Sequence, residues 1–286
     1  MGNHSTVPLA FPQKLSNQED LAKMKRLAKT AISKVLRNFD LAVTRHKTLE
    51  ELRRNRRSSA ARDLRLLETL NEADTAHQLL ACLSKSKSQL RQDLFVLSNS
   101  GFKRKGYFVE FGATNGLDLS NTYLMEKEFG WDGIVAEPAR VWHSDLRKNR
   151  ACNIETDCVW KESNSALNFN QVTVHEFSTI STFSDSDSHG EARKEGITYQ
   201  VNSISLTDLL LRYNAPEVID YLSIDTEGSE YEILSNFDFS KYSISAITCE
   251  HNYTPMRRKI YSLLTKQGYK RVYEEISFWD DWYIKN

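Results

Sequence analysis

The chain has no apolar run approaching the roughly 20 residues that cross a bilayer, which sets helical membrane spans aside. Between residues 17 and 82 it has neither glycine nor proline, so nothing there punctuates a helix. Its four cysteines, Cys82, Cys152, Cys158 and Cys249, form no C-x-x-C pair; reduced thiols are expected and a zinc site is not. Val7 to Phe11 is too short for the apolar core of an export signal, so a cytoplasmic location is the expectation. Net charge is also missing, since 38 Lys and Arg stand against 38 Asp and Glu. With 40% hydrophobic and 27% charged residues, the composition is that of an ordinary soluble globular protein. A length of 286 residues suffices for one substantial α/β domain with an appendage.

The neutral total conceals an asymmetry. Residues 1–65 hold 15 Lys and Arg against 6 Asp and Glu, a balance of +9 that includes Arg53, Arg54, Arg56 and Arg57. Such a cluster can meet nucleic acid, anionic lipid or an acidic glycan. No aromatic residues interleave with the arginines, so a solvated helix face is the simpler reading and nucleic acid is not expected as a partner. Leu21, Met24, Leu27, Ala28, Ala31 and Val35 recur at helical spacing, as do Leu64, Leu67 and Leu70 further on. Residues 1–87 therefore read as a basic, helical N-terminal region that can pack on the core, cover a site or build a homo-oligomer. A binding protein led by these helices, with the remainder as scaffold, is the rival to an enzyme.

From about Ser88 the pattern changes. Apolar strands are expected over residues 107–111, 133–137, 153–160, 220–225 and 245–250, and residues 269–274 and 278–284 read as a closing hairpin around a short polar turn. Helical patterns fall between them, over 118–129, 141–149, 206–213, 230–236 and 255–267. Alternation of this kind predicts an α/β protein with a mainly parallel sheet covered on both faces. Ligands of such sheets sit at the carboxyl ends of the strands. The polar stretch 175–197, rich in Ser, Asp, His and Gly, reads either as a flexible insertion or as an acceptor loop.

Polar residues sit at the ends of these strands. The first runs into Glu110-Phe111-Gly112-Ala113-Thr114-Asn115-Gly116, an acidic strand end and a glycine turn. Glycine lets a backbone turn tightly and approach a ligand where a Cβ would collide. The spacing is not G-x-G-x-x-G, so a pyrophosphate cradle is disfavoured. A carboxylate at Glu110 suits S-adenosylmethionine, whose amino group and sulfonium are cationic. Glu137, at the end of the second strand, is placed to accept hydrogen bonds from ribose hydroxyls. Asp157 and Cys158 on the third strand can meet an adenine edge. The fourth strand ends in Asp225-Thr226-Glu227-Gly228, where one carboxylate can face the cofactor and the other the acceptor; capping of the next helix by Thr226 or Ser229 is the structural alternative. The fifth ends in Glu250-His251-Asn252, with His251 as the candidate general base for a hydroxyl proton. Asp225, Glu250 and Asn252 could instead hold a divalent cation, and oxygen ligands suit magnesium better than zinc. Trp142, Trp160, Trp279 and Trp282 are candidates for stacking on a sugar ring.

Several of these segments occur together in a recognisable order. Phe108 to Gly116 continues into Ser120-Asn121-Thr122 and Leu124-Met125-Glu126-Lys127. Trp131-Asp132-Gly133-Ile134-Val135-Ala136-Glu137-Pro138 follows. Later come Ile219 to Glu230, with Asp225-Thr226-Glu227-Gly228 inside it, and Glu250-His251-Asn252. The set resembles the FkbM family of S-adenosylmethionine-dependent methyltransferases over about residues 88–286. The resemblance implies a Rossmann-like class I methyltransferase sheet of seven strands, mainly parallel, with an antiparallel last strand. It implies methyl transfer to a hydroxyl oxygen of a sugar, glycan or polyketide-like metabolite. It places cofactor-binding residues at Glu110, Gly112, Asn115, Ser120, Asn121 and Glu137, with Ala113 and Gly116 in the same turn, and sets the Asp-x-Glu-Gly element at Asp225, Glu227 and Gly228. Transferases that methylate amino-adenine or C5 of cytosine are set aside, because the chain lacks Asn-Pro-Pro-Tyr, Asp-Pro-Pro-Tyr and Pro-Cys.

Overall fold

The computed structural model describes residues 59–70, 75–184 and 190–286. The helices expected over residues 17–58, and the arginines Arg53, Arg54, Arg56 and Arg57, lie outside the described residues. Along the chain run α1 (Ser59–Thr69), α2 (Ala76–Leu83), α3 (Gln92–Asn99), β1 (Tyr107–Phe111), α4 (Tyr123–Phe129), β2 (Asp132–Ala136), α5 (His143–Asn149) and β3 (Asn153–Glu155). Then come β4 (Cys158–Trp160), β5 (Ala166–Gln171), β6 (Thr179–Ile180), α6 (Gly190–Arg193), β7 (Ile197–Ser205) and α7 (Leu206–Arg212). The chain closes with β8 (Val218–Ile224), α8 (Glu230–Ser235), β9 (Ser243–Glu250), α9 (Met256–Lys266), β10 (Tyr269–Val272), α10 (Glu274–Ser277) and β11 (Asp280–Lys285).

Seven strands form one mixed sheet in the order β10-β11-β9-β8-β1-β2-β3. The neighbours from β9 to β3 pair in parallel, whereas β11 is antiparallel to both β9 and β10. Side chains of a strand alternate between faces, and here both faces are apolar. Val109, Ile134, Leu222 and Ile247 point to a layer that contains Leu209 of α7, Ile233 of α8 and Leu264 of α9. Phe108, Val135, Tyr221 and Ala246 point to the opposite layer, with Leu94 of α3, Leu124 of α4 and Leu146 of α5. Burial on both sides explains why these strands read as continuous apolar runs. Leu66 of α1 and Leu79 and Cys82 of α2 join the second layer, so both of these helices are seated on the same core as the sheet.

Four expectations change. Residues 153–160 are not one strand. The Glu155 side chain accepts the Thr156 and Asp157 backbone N–H groups, at 2.8 and 2.9 Å, and the chain turns there. β3 stays in the main sheet and β4 leaves it for a four-stranded sheet in the order β4-β7-β5-β6. The helix expected from residue 118 begins only at Tyr123, because the residues before it serve as hydrogen-bond donors to Glu110. The closing strands do pair, but one turn of helix, α10, stands between them instead of a short polar turn. Residues 175–197 give the small sheet only the short strand Thr179–Ile180 and Ile197, the first residue of β7, with α6 between them, while residues 185–189 lie outside the described ones. Ala139, Cys158, Phe169, Ile180 and Val201 form its own apolar cluster.

Candidate functional site

β1 ends against the turn that follows β8. Gly112 has φ of +73°, and a Cβ added there would lie 2.0 Å from the backbone oxygen of Asp225. Only glycine permits that approach without displacing the backbone. The Gly112 N–H donates to the Ala136 oxygen at 3.1 Å, which fixes the turn to the end of β2. Asn115 accepts the N–H groups of Leu117 and Asp118 on its side-chain oxygen, both at 2.9 Å, and so closes the turn on itself. Glu137 joins the loops that follow β1 and β2: its carboxyl accepts the Thr114 N–H at 2.9 Å and the Ala139 N–H at 2.8 Å. Burial pushes its pKa up to about 7, with the nearby Asp225 adding to the rise against those two hydrogen bonds.

Glu110 is 2% exposed and is engaged entirely within the protein's described residues. Its carboxylate accepts the Ser120 hydroxyl at 2.9 Å, the Asn121 N–H at 2.6 Å and the Thr122 hydroxyl at 2.5 Å. The Arg150 guanidinium lies 3.3 Å away. Asn121 donates from its amide to the Ser223 hydroxyl at 2.9 Å, while its Oδ1 is buried without a hydrogen-bond partner.

At the ends of β8 and β9 three carboxylates converge. One oxygen each of Asp225, Glu227 and Glu250 lies within 4.8 Å of the others. Asp225 and Glu250 face one another at the two strand ends, and burial raises the pKa of both. Two half-buried carboxyl groups this close ionise together only at a cost, which favours retention of a proton by one of them. Glu227 adopts a φ of +58° and accepts Arg193 at 2.8 Å and the Asn252 amide at 3.3 Å. The Thr179 hydroxyl of β6 donates to the Glu227 backbone oxygen at 3.0 Å, so the small sheet is tied to this turn. No side chain caps α8, so neither Thr226 nor Ser229 has that role; Glu230, its first residue, instead braces the preceding turn by accepting the N–H groups of Thr226 and Gly228 at 3.1 and 2.9 Å.

A small, partly open cleft lies beside the pair, lined by Gln89, Asn121, Asp225, Glu250, Trp279 and Asp280 among others. Asp280 pairs with Glu250 across the antiparallel ladder, which puts the two side chains on the same side of the sheet. His251 is not among the lining residues. Its Nδ1 accepts the Tyr253 N–H at 3.0 Å and its Nε2 lies 3.6 Å from Asp281. Burial pulls its pKa down to about 4 against the opposing pull of Asp281. Asp157 is held by Arg212 at 2.9 Å, and Cys158 is buried in the small sheet's cluster, where burial pushes its thiol up to about 12. Of the four tryptophans singled out, Trp279 reaches the cleft; Trp282 is fully buried and stacks on Phe95 at 4.8 Å, and Trp142 and Trp160 pack against the small sheet. Sequence reasoning passed over Arg150, Arg193 and Asp280. A lone charge between polar neighbours carries no sequence signal of burial.

A seven-stranded mixed sheet, a glycine turn after its first strand and acidic residues after the next ones define a methyltransferase-like α/β protein. The family model described as the methyltransferase FkbM domain matches residues 110–271, and the chain belongs to that family. Comparison with curated proteins gives no match. Among solved structures, a methyltransferase FkbM from Methylobacillus flagellatus is similar at 13% identity and a TM-score of 0.41, over 79% of this chain and 58% of that one. The present chain thus spans less than two thirds of that protein's length. A precorrin-6y C5,15-methyltransferase from Geobacter metallireducens is similar at 11% identity and a TM-score of 0.37, over 63% of this chain and 71% of that one. A mutant of MtNAS in complex with S-adenosylmethionine is similar at 14% identity and a TM-score of 0.32, over 79% and 71%. Among the described residues no helix is long and apolar enough to cross a membrane.

Proposed function

We propose that this protein is an S-adenosylmethionine-dependent O-methyltransferase with a Rossmann-like class I sheet, and that its acceptor is a hydroxyl of a sugar, a glycan or a polyketide-like metabolite. The observation that carries the reading is the convergence of Asp225 and Glu250, with carboxylate oxygens within 4.8 Å of each other, in the lining of a cleft beside the glycine turn. The residues present fit the cofactor. The orphaned Oδ1 of Asn121 is an acceptor suited to its ammonium group, and the buried carboxyl of Glu137 retains lone pairs for ribose hydroxyls. Gly112, Ala113, Asn115 and Gly116 supply the turn, Ser120 helps set its position through Glu110, and Asp157 and Cys158 are the candidates for its adenine edge. When bound, the cofactor supplies an electrophilic methyl group on a cationic sulfur.

Asp225 and Glu250 provide the base. Burial raises the affinity of this pair for a proton, so it can take one from an alcohol more readily than an ordinary carboxylate can. An acceptor hydroxyl held in the cleft would give its proton to this pair. Glu227, fixed by Arg193, completes the acidic wall, and Trp279 offers an aromatic face to a sugar ring. His251 contributes through its neighbours, since its ring faces Asp281 and Tyr253. Much of the acceleration comes from holding the hydroxyl in line with the methyl group.

The three-carboxylate convergence favours a second reading, in which Asp225, Glu227 and Glu250 hold a divalent cation of the magnesium class that lowers the acceptor's pKa. Asn252, considered for this role from sequence, is occupied with Glu227 through its amide. Chelation separates the readings. Under base catalysis, methyl transfer survives EDTA; loss of activity with EDTA and its return with magnesium selects the cation.

A further inference from the structure

We propose that Arg150 is the positioning residue of the cofactor loop, acting through Glu110. The inference rests on the assignment of S-adenosylmethionine as cofactor. Arg150 follows α5 directly, and its side chain is wholly buried. A buried guanidinium is expensive unless each of its donors is used, and here they are used on one short stretch of chain. Nη1 meets the Glu110 carboxylate at 3.3 Å, the Ser120 hydroxyl at 3.1 Å and the Gly116 backbone oxygen at 3.4 Å. Nη2 donates to the Thr122 hydroxyl at 2.8 Å, and Nε donates to Glu126 at 2.5 Å. The guanidinium also lies 5.2 Å from the Phe108 ring centroid, on the strand that delivers the turn.

These contacts give Glu110 a different role from direct ligation. Its carboxylate binds three donors from residues 120–122 and is paired with Arg150, so its charge is spent on holding that loop. The loop in turn presents Asn121, a residue of the cleft lining whose Oδ1 is buried without a hydrogen-bond partner. Gly116 fits the same design. A Cβ there would lie 2.6 Å from Arg150 Cγ, so the absent side chain makes room for the arginine stem as well as for the turn. Arg150 therefore links both sides of the cofactor loop, Gly116 and residues 120–122, to one buried cation.

The test is calorimetric titration of the full-length chain with S-adenosylhomocysteine, alongside thermal melting. Arg150→Lys keeps the charge and loses the planar fork, so it is expected to fold and to bind about tenfold or more weakly. Thr122→Val is nearly isosteric and removes the hydroxyl between Glu110 and Arg150; it is expected to fold, to melt lower because Arg150 Nη2 loses its acceptor, and to weaken binding several-fold. Deuterium exchange supplies a readout beyond stability: the Asn121 amide, donated to Glu110, should exchange faster in Arg150→Lys while amides of β8 stay protected. Wild-type affinity in Thr122→Val, and in any folded Arg150→Lys, overturns the inference while leaving the cofactor assignment standing. A wild-type chain that does not bind S-adenosylhomocysteine overturns the cofactor assignment and the inference with it.

Discussion

Asp225 and Glu250 stand at the carboxyl ends of adjacent parallel strands, with carboxylate oxygens within 4.8 Å of each other. The register that pairs Ile224 with Cys249 brings them side by side. Because two carboxyl groups this close ionise together only at a cost, replacing one by an amide removes the base while relieving repulsion. Asp225→Asn is expected to lower methyl transfer by about 10²-fold or more, the scale of general-base catalysis. It should leave affinity for S-adenosylhomocysteine nearly unchanged and the melting temperature equal or higher. Parallel turnover assays, calorimetry and melting check this; a large loss of affinity would reassign Asp225 to cofactor binding alone.

Glu137 should make stability and binding depend on pH in opposite directions. Its folded pKa is raised from the ordinary 4.5 to about 7, so between those values the folded chain binds a proton that the unfolded chain has released. The stability of the ligand-free protein therefore falls as pH climbs through that window and flattens above it. Glu137→Gln lacks this component of the slope, which melting curves at pH 5 and pH 8 would show. Ribose hydroxyls donate best to the ionised form, so wild-type affinity for S-adenosylhomocysteine should rise across about pH 7. Glu137→Ala should bind more weakly at every pH; undiminished binding removes the ribose assignment.

Gly112→Ala should be costly. The left-handed backbone alone costs about 1–2 kcal/mol for a residue with a Cβ, and the new atom would lie 2.0 Å from Asp225 O. Displacement of either turn would spoil the site, so a lower urea midpoint should accompany lost cofactor binding. A stable Gly112→Ala that still binds would show that the two turns are further apart than described here.

Arg193 tethers the small sheet to the acidic turn. Its side chain is fully buried, donates to Phe177 O at 2.7 Å and pairs with Glu227 at 2.8 Å. Removing one partner of a buried ion pair leaves the other charge uncompensated and costs about 3–5 kcal/mol. Arg193→Met is expected to lose stability on that scale in urea unfolding, and Arg193→Met with Glu227→Gln to recover part of it. Independent, additive losses would show that the two residues are not coupled.

The main sheet was legible because its strands are apolar on both faces and end in acids or glycines; Val109, Ile134, Leu222 and Ile247 carry that pattern. The small sheet was not, because strands such as Ala166–Gln171 and Ile197–Ser205 are rich in Asn, Gln and Ser and only partly buried. Glu155 hid the break between β3 and β4, since its role in turning the chain depends on two backbone N–H groups rather than on a turn residue. The acidic residues at the strand ends were visible as types, but their division of labour was not. Glu110 is occupied by Ser120, Asn121, Thr122 and Arg150, and Glu250 faces Asp225 while the adjacent His251 faces Asp281. Those differences follow from which side of a strand each residue faces and from arginines distant in sequence.

Methyl transfer itself is tested most directly with S-adenosylmethionine carrying a labelled methyl group, incubated with the full chain and an extract of glycans and small metabolites. The expected result is a labelled product whose methyl group is an ether on a hydroxyl oxygen, formed by the wild-type chain and not by Asp225→Asn. Absence of any cofactor binding, or equal labelling by both proteins, would contradict a methyl-transfer site built on Asp225 and Glu250.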